Sequence, residues 1–519
     1  MKGVPAETDF LVIGASVAGL RAAIELADAG RVLVLSKNDV PDFKKADAKS
    51  EALWLSDEDE VSLHVQDTLE AGDGLCNPQG VKVLVEEGAE RMEELLTWAK
   101  PAGEGLTFEL ENPHARVRIL HAQNGSTAKQ VLQVLFDRAH SLENITIASR
   151  TFVTELRTNG HRVTGISLLD DKGMPQEVAC SVVLLAAGGL GQIYRNTTNS
   201  EAATGDGLAM AFRAGAELSD LEFVQFYPTA LHMKKVPRFL LDESLRAEGA
   251  YLRNFELDRF MGKYHPLAER APHDLVSRAI VHEMEVSRAK DPFVYLDVTH
   301  LNGTRVQKHF SRIYQVCMAY NLDITEDLIP VRPAAHYSIG GVRTDLDGKT
   351  SLSGLYAAGE VACTGVHGAN RRPGNSLLES LVYGTRAGKA MRAAEKSASA
   401  PPSEPKAAYS NGPVELGLEE LIGQIQDLMW NEVGIVRMRT GMQKALKALE
   451  EMTPKLSKPK ARRTYEAANM HLAAQLVARS ALAREESRGA HYRMDYSDHE
   501  NKRFLRHSVI RGDKVLFPA

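Results

Sequence analysis

The residues best suited to chemistry fall in two stretches, His336-Tyr-Ser-Ile-Gly-Gly341 and Gly359-Glu-Val-Ala-Cys-Thr-Gly-Val-His-Gly-Ala-Asn-Arg371, the second leading into an apolar helix expected from Asn375 or Ser376. A fixed cation beside a helix N-terminus makes a carboxylate site, because the free N–H groups and partial positive charge of the first turn add to the guanidinium of Arg371. The same helix start suits an electron-rich ring. His336 supplies an imidazole that titrates near neutrality, or else fills a core position with its hydrogen bonds satisfied. Asp242 and Glu243 stand side by side and either cap the helix after them or receive a cationic group.

The elements that must position these groups are legible around them. Leu355–Ala358 reads as a short apolar strand, Gly359-Glu360 as the turn after it, and Leu377, Leu378, Leu381, Val382 and Met391 as the apolar face of the helix. On that helix Gly384 and Gly388 lie one turn apart, each costing about 1 kcal/mol against alanine, so something must approach their face closely. Phe10–Ile13, then Gly14-Ala-Ser-Val-Ala-Gly19, a helix to about Ala29 and a strand Arg31–Ser36 form the βαβ opening of a dinucleotide fold, with Ser16 where its second glycine stands. Ser36 and Lys37 replace the ribose-binding acid of a nicotinamide site, which argues against NAD and is neutral about FAD. Val182–Gly189 is a second strand ending in a double glycine, bringing bare backbone to something flat.

With 519 residues the chain exceeds one core, and a net charge of -6 from 62 basic and 68 acidic residues gives no reason to expect nucleic acid or a membrane surface as partner. Cys76, Cys180, Cys317 and Cys363 are scattered, so no metal site is expected. The N-terminus runs straight into a strand without a secretory pattern, and a cytoplasmic protein is expected. The fold class is α/β: a dinucleotide-binding domain in two parts, 1–216 and 326–396, an inserted α+β cap at 217–325, a Pro/Ser/Ala-rich linker at 397–415, and a helical domain with tail at 416–519. Helices are expected near 61–72 and 79–99, a hairpin across Asn159-Gly160, a helix opened by Gly205-Asp206-Gly207, a short strand Glu222–Phe226 and a helix Asp274–Ser287. Three more helices, Leu418–Asn431, Val433–Glu451 and Arg462–Arg484, form the bundle. Arg488, His491 and Arg493 read as a solvated surface or a docking strip.

Over nearly its whole length the chain resembles the L-aspartate oxidases, flavoproteins of NAD biosynthesis, and more distantly the flavoprotein subunits of succinate dehydrogenase and fumarate reductase. The resemblance rests on GASVAGL at 14–20, DTLEAGDGLCNP at 67–78, AAGGLGQIY at 186–194, TGDGLAMAFRAGA at 204–216, EFVQFYPTAL at 222–231, HYSIGG at 336–341, GEVACTGVHGANR at 359–371, NSLLE at 375–379 and ESRGAHYRMDY at 486–496. It implies a non-covalent FAD that takes a hydride from a substrate Cα and passes the electrons to oxygen or fumarate. It places Gly14, Ala15, Ser16 and Gly19 at the pyrophosphate, Ser36, Lys37, Gly188, Gly189 and Asp206 toward the adenosine side, and Glu360, Asn375, Ser376 and Leu377 at the ribityl chain and ring. The substrate cradle it implies holds Gln225, Asp242, Glu243, His336 and Arg371, with Tyr227, His273, Glu111 and His114.

Several departures from the family pattern gather in that cradle. A histidine of the family is Tyr227, an arginine is His273, a threonine before Glu243 is Asp242, and a serine before Asn375 is Gly374. A flavin-contacting QGG is absent from 40–55, and Asn124-Gly-Ser-Thr127 replaces another family motif. A buried dicarboxylate needs cations, so weak or no turnover of L-aspartate is expected unless another arginine or lysine reaches the cavity. The alternative expectation is an inactive scaffold that associates with a paralogous oxidase or a pathway neighbour.

Overall fold

The computed structural model describes residues 4–40, 52–53, 61–99, 108–111, 119–122, 127–234, 236, 238–394 and 417–518. Nearly all of the 40–55 segment, His114, Asn124–Ser126 and the 397–415 linker lie outside the described residues.

Five parallel strands form the central sheet in the order Leu355–Ala357, Val183–Leu185, Phe10–Ile13, Val32–Leu35, Ile145–Ala148. The four strands from Leu355–Ala357 through Val32–Leu35 are apolar throughout and entirely buried, as a parallel sheet covered on both faces requires. The helices Val17–Leu26 and Asn375–Arg392 pack together beside it. Their closeness explains the two helical glycines: a Cβ on Gly384 would lie 2.7 Å from the Ala18 carbonyl oxygen, and one on Gly388 2.9 Å from that of Ala22. The close neighbour expected from the sequence is thus another helix.

The expected hairpin pairs Phe152–Asn159 with Arg162–Leu169, and Pro175–Ala179 adds a third strand. The strand expected at Glu222–Phe226 runs instead from Val224 to Leu231, every residue buried, in an antiparallel sheet with Ile329–Ser338, Val294–Asp297 and Tyr251–Arg253. Helix His273–Ser287 packs on this sheet, and residues from Leu231 to Val331 build a hydrophobic core of their own around it.

The C-terminal helices are Leu418–Glu432, Arg439–Leu456 and Arg462–Ala483. The second starts six residues later than expected. The skipped stretch holds the fully buried Arg437, whose guanidinium donates to the carbonyl oxygens of Gly434 (2.9 Å) and Glu222 (2.6 Å) instead of lying on a helix surface. The tail also corrects the sequence expectation. Arg488, His491 and Arg493 are buried, at 4%, 0% and 0% exposure, and not solvated. Arg493 pairs with Asp495 and caps the carbonyls of Ala481, Leu482 and Arg484, while Arg484 is paired with Glu222 and Glu486. Val509–Arg511 and Lys514–Leu516 then extend a sheet containing Leu218–Ser219, Gly341–Arg343 and Ala362–Cys363. Among the described residues no helix is long and apolar enough to cross a membrane.

Candidate active site

The first strand of the central sheet delivers Gly14 at φ +115°, where a Cβ would run into the Ala186 carbonyl, and Gly19 packs against the Gly14 carbonyl in the same way. Ser16 fits the turn without strain. It is the N-cap of Val17–Leu26: its Oγ accepts from the Gly19 N–H (3.3 Å) and donates to the Ala186 carbonyl (2.9 Å), tying the turn to the neighbouring strand. Gly188, at φ +78°, faces open space, whereas a Cβ on Gly189 would collide with the Glu360 carboxylate. Glu360 accepts from the Ser338 N–H at 3.0 Å, and burial pushes its carboxyl up to about 7.

Beyond this frame lies a cavity of about 320 Å³. Ser16, Gly188, Glu360, Ser376 and Leu377 line it from the frame, and Tyr227, Glu243, His273, His336 and Arg371 enclose its far end. Arg371 donates from Nε to Gln225 Oε1 (3.0 Å) and from Nη1 to Ser376 Oγ (3.3 Å), and its guanidinium lies 4.7 Å from the centre of the Tyr337 ring. Gln225 completes the clasp by donating from Nε2 to the Arg371 carbonyl at 2.8 Å. Thus a buried cation is fixed by neutral donors, acceptors and an aromatic face.

His336 owes its position to an irregularity. Gln225 pairs with Tyr337 and Phe226 with Ala335, so His336 is the extra residue of a bulge. A regular strand sends neighbours to opposite faces, but here His336 and Tyr337 both line the cavity. The His336 Nδ1 is 2.9 Å from Thr198 Oγ1, and its carbonyl accepts from Asn199 Nδ2 at 2.7 Å. Burial, reinforced by the positive charge of Arg371 and His273, pushes the imidazole down to about 3, so it is neutral at physiological pH.

On the opposite wall His273 is the first residue of its helix and its Nε2 is hydrogen-bonded to Glu243 Oε2. The Tyr227 ring stands edge-on to both imidazoles, 5.0 Å from His273 and 5.5 Å from His336 between ring centres. Glu243 opens the helix Glu243–Ala247, capped by Asp242, whose Oδ1 accepts from Ser244 N–H (2.8 Å) and Ser244 Oγ (2.6 Å). Asp242 is therefore a cap and lines neither this cavity nor the next, in place of the substrate contact expected from the sequence.

An outer cleft of about 1020 Å³ adjoins the cavity and shares Glu243, His273, Arg371 and Pro373 with it. Arg246, Arg270, Arg278, Arg372 and Arg488 line only the cleft; among the described residues Arg371 is the one arginine or lysine lining the inner cavity. Gln225 also faces the cleft. Several residues expected at the cofactor do not line this cavity. Asn375 turns to His64 and Thr68, both at 3.0 Å. Lys37 binds Asp206 (2.6 Å) and Thr204 (2.7 Å), and Asp206 also accepts from Asn469 (2.8 Å), bridging the first domain to the last long helix. The Ser36 hydroxyl accepts from the Asn38 N–H at 3.4 Å. Glu111 ends the strand Phe108–Glu111, opposite Ile119. Sequence reasoning missed Thr198, Asn199 and Tyr337. Only Tyr337 had a sequence cue, as the neighbour of His336.

The residues present suit a bound dinucleotide: a strained glycine turn at a helix start, and a bare Gly188 backbone opening on a cavity that ends in fixed polar groups. Such a fold and site define an FAD-dependent oxidoreductase. A family model described as FAD binding domain matches residues 9–377, and one described as fumarate reductase flavoprotein C-term matches 423–516. L-aspartate oxidase 1 of Ralstonia nicotianae is 39% identical over 94% of this chain and 95% of its own length. The L-aspartate oxidase of Streptomyces coelicolor is 38% identical over 97% and 91%. Among solved structures, an E. coli quinol fumarate reductase FrdA chain superposes with a TM-score of 0.86 at 29% identity, over 97% of this chain and 94% of that one. The chain belongs to the L-aspartate oxidase family, within the succinate dehydrogenase and fumarate reductase flavoproteins, and its cofactor is FAD.

Proposed function

We propose that this protein oxidises the Cα–N bond of an amino acid, L-aspartate or a related acid, with oxygen or fumarate as the final electron acceptor. The observation that carries this is a fixed cation, Arg371, beside a neutral imidazole, His336, in the wall of the cavity. Arg371 receives the substrate carboxylate, and its clasp with Gln225 and Ser376 fixes where that carboxylate sits. His336 contributes a hydrogen bond without adding charge, and Tyr227 excludes water between the two imidazoles. Bound FAD supplies the acceptor for the Cα hydride.

A single lining arginine grips one carboxylate well and a second one poorly, so weak turnover of L-aspartate belongs to the same proposal. The inactive-scaffold alternative loses one of its supports, because Ser16 completes the glycine turn without obstructing it. The cytoplasmic setting agrees with four free cysteines. The domain limits 1–216, 217–325, 326–396 and 416–519 are proposed with it, supported by the separate core from Leu231 to Val331. The test is a visible spectrum of the purified protein, followed by addition of single L-amino acids under nitrogen. A yellow protein bleached by at least one of them is expected; a yellow protein bleached by none would overturn the proposal.

A further inference from the structure

Arg371 belongs to the frame side of the inner cavity, across from Glu243 and His273 on the cap side. The Tyr337 ring lines the cavity with its centre 4.7 Å from the guanidinium, while its hydroxyl donates to Glu379 Oε2 at 3.0 Å. Glu379 stands one helical turn after Asn375, is 1% exposed and lines neither the cavity nor the outer cleft. Two more donors converge on it, His367 Nε2 at 3.0 Å on the same oxygen and the Thr364 hydroxyl at 2.5 Å on Oε1. One buried carboxylate thus joins three segments of the site: the strand that carries His336, the loop that ends in Arg371 and the helix that begins at Asn375.

Because a carboxylate only accepts, the proton His367 shares here is on Nε2. Its Nδ1 is buried without a hydrogen-bond partner, where a second proton would be an unsatisfied donor. Burial alone would raise the Glu379 carboxyl, but His367, Thr364 and Tyr337 outweigh it and hold the carboxyl below its usual range, so the group is an anion. Its charge reaches the cavity. Burial is the main cause that pushes Glu360 up to about 7, Arg371 opposes the rise, and Glu379 adds to it.

We propose that Glu379 is a positioning residue for the carboxylate site and sets how much negative charge the site accepts: through the Tyr337 hydroxyl it fixes the ring on which Arg371 rests, and its own charge opposes a bound anion in proportion to that anion's charge. This deepens the function proposed above and rests on it for one point, that Arg371 receives a carboxylate. A phenol ring whose hydroxyl donates to a carboxylate is held in one orientation and gains electron density on its face, so it seats a guanidinium more firmly than a free phenol does. The Coulomb energy of two charges scales with their product, so a dianion is opposed twice as strongly as a monoanion and the factor in Kd is squared. Glutamine at 379 removes the charge and keeps the contacts. Its carbonyl oxygen accepts from Tyr337 and His367, and its amide donates to the Thr364 hydroxyl oxygen.

The test uses the FAD-loaded protein under nitrogen at pH 8, above the ordinary imidazole range, with malonate and propionate as a dianion and a monoanion of similar size. Binding is read from the perturbation of the flavin spectrum. In Glu379→Gln the Kd of propionate is expected to fall about threefold and that of malonate about tenfold. Tyr337→Phe keeps the charge and cuts the tie, so both probes are expected to weaken by one common factor, about three to ten. Glu360 is present in all three proteins and drops out of the ratios. Melting temperature and FAD content are measured on each variant. Equal shifts of the two probes in Glu379→Gln, weaker malonate binding by it, or unchanged binding by Tyr337→Phe would overturn the proposal. A Glu379→Gln protein that fails to fold or to hold FAD would show a carboxylate needed by the fold and not by the site, and would overturn it as well. No response of the wild type to malonate would overturn both this inference and the carboxylate role of Arg371. Probes that shift as expected in a protein bleached by no amino acid would leave this inference standing and remove the oxidase function, and bleaching with unshifted probes would do the reverse.

Discussion

The frame wall and the cap wall of the cavity hold charge in opposite ways. Arg371 is held by an amide, a hydroxyl and an aromatic face. His273 is hydrogen-bonded to a carboxylate of its own wall, Glu243. A cation meant to hold an anion must not be paired internally with an acid, whereas a base meant to collect a proton gains from one. The two walls thus present different chemistry, a guanidinium on one and a carboxylate–imidazole pair on the other.

The largest expected effect that sharpens this contrast comes from Arg371→Gln. Removing a buried, hydrogen-bonded cation costs on the order of 2–5 kcal/mol of ligand binding, so flavin bleaching by the best amino acid substrate should fall by about thirtyfold or more in kcat/KM with FAD content unchanged. Stopped-flow spectroscopy under nitrogen checks it, and a loss below fivefold would mean that the frame wall does not grip.

Next in size is Asp242→Ala. As a helix cap, Asp242 contributes about 1 kcal/mol, so the melting temperature should drop by about one degree while substrate preference stays the same. A change in preference among cationic, neutral and acidic amino acids would return Asp242 to the cavity. Ser16→Gly is the smallest, because glycine at an N-cap costs only a few tenths of a kcal/mol. FAD affinity measured by flavin fluorescence should stay within twofold, and a large gain would show that the hydroxyl obstructs the cofactor.

The same two walls mark how far the sequence could be read. Gly14, Gly19, Glu360 and the Asn375–Arg392 helix were legible because glycines at a turn, an apolar strand and helical periodicity are local patterns with one physical solution. His336 and Arg371 were legible as types of group, but their surroundings were not. The bulge that turns both His336 and Tyr337 into the cavity arises from strand register, which no local spacing records. Asp242 was open in the sequence between a helix cap and a binding role, and the Ser244 N–H shows one of its oxygens taken by the cap. Lys37 and Asp206, 169 positions apart, found each other across the fold.

The buried arginines of the C-terminal domain bear on the site from a distance. Arg484 and Ser508 both bind the Glu222 carboxylate and Arg437 holds the Glu222 carbonyl, three residues before the Gln225 that clasps Arg371. The residues after Ala483, together with Arg437, are therefore the mooring of the wall that aims the guanidinium. A protein shortened after its final long helix would keep every group named in the cavity and still lose its aim.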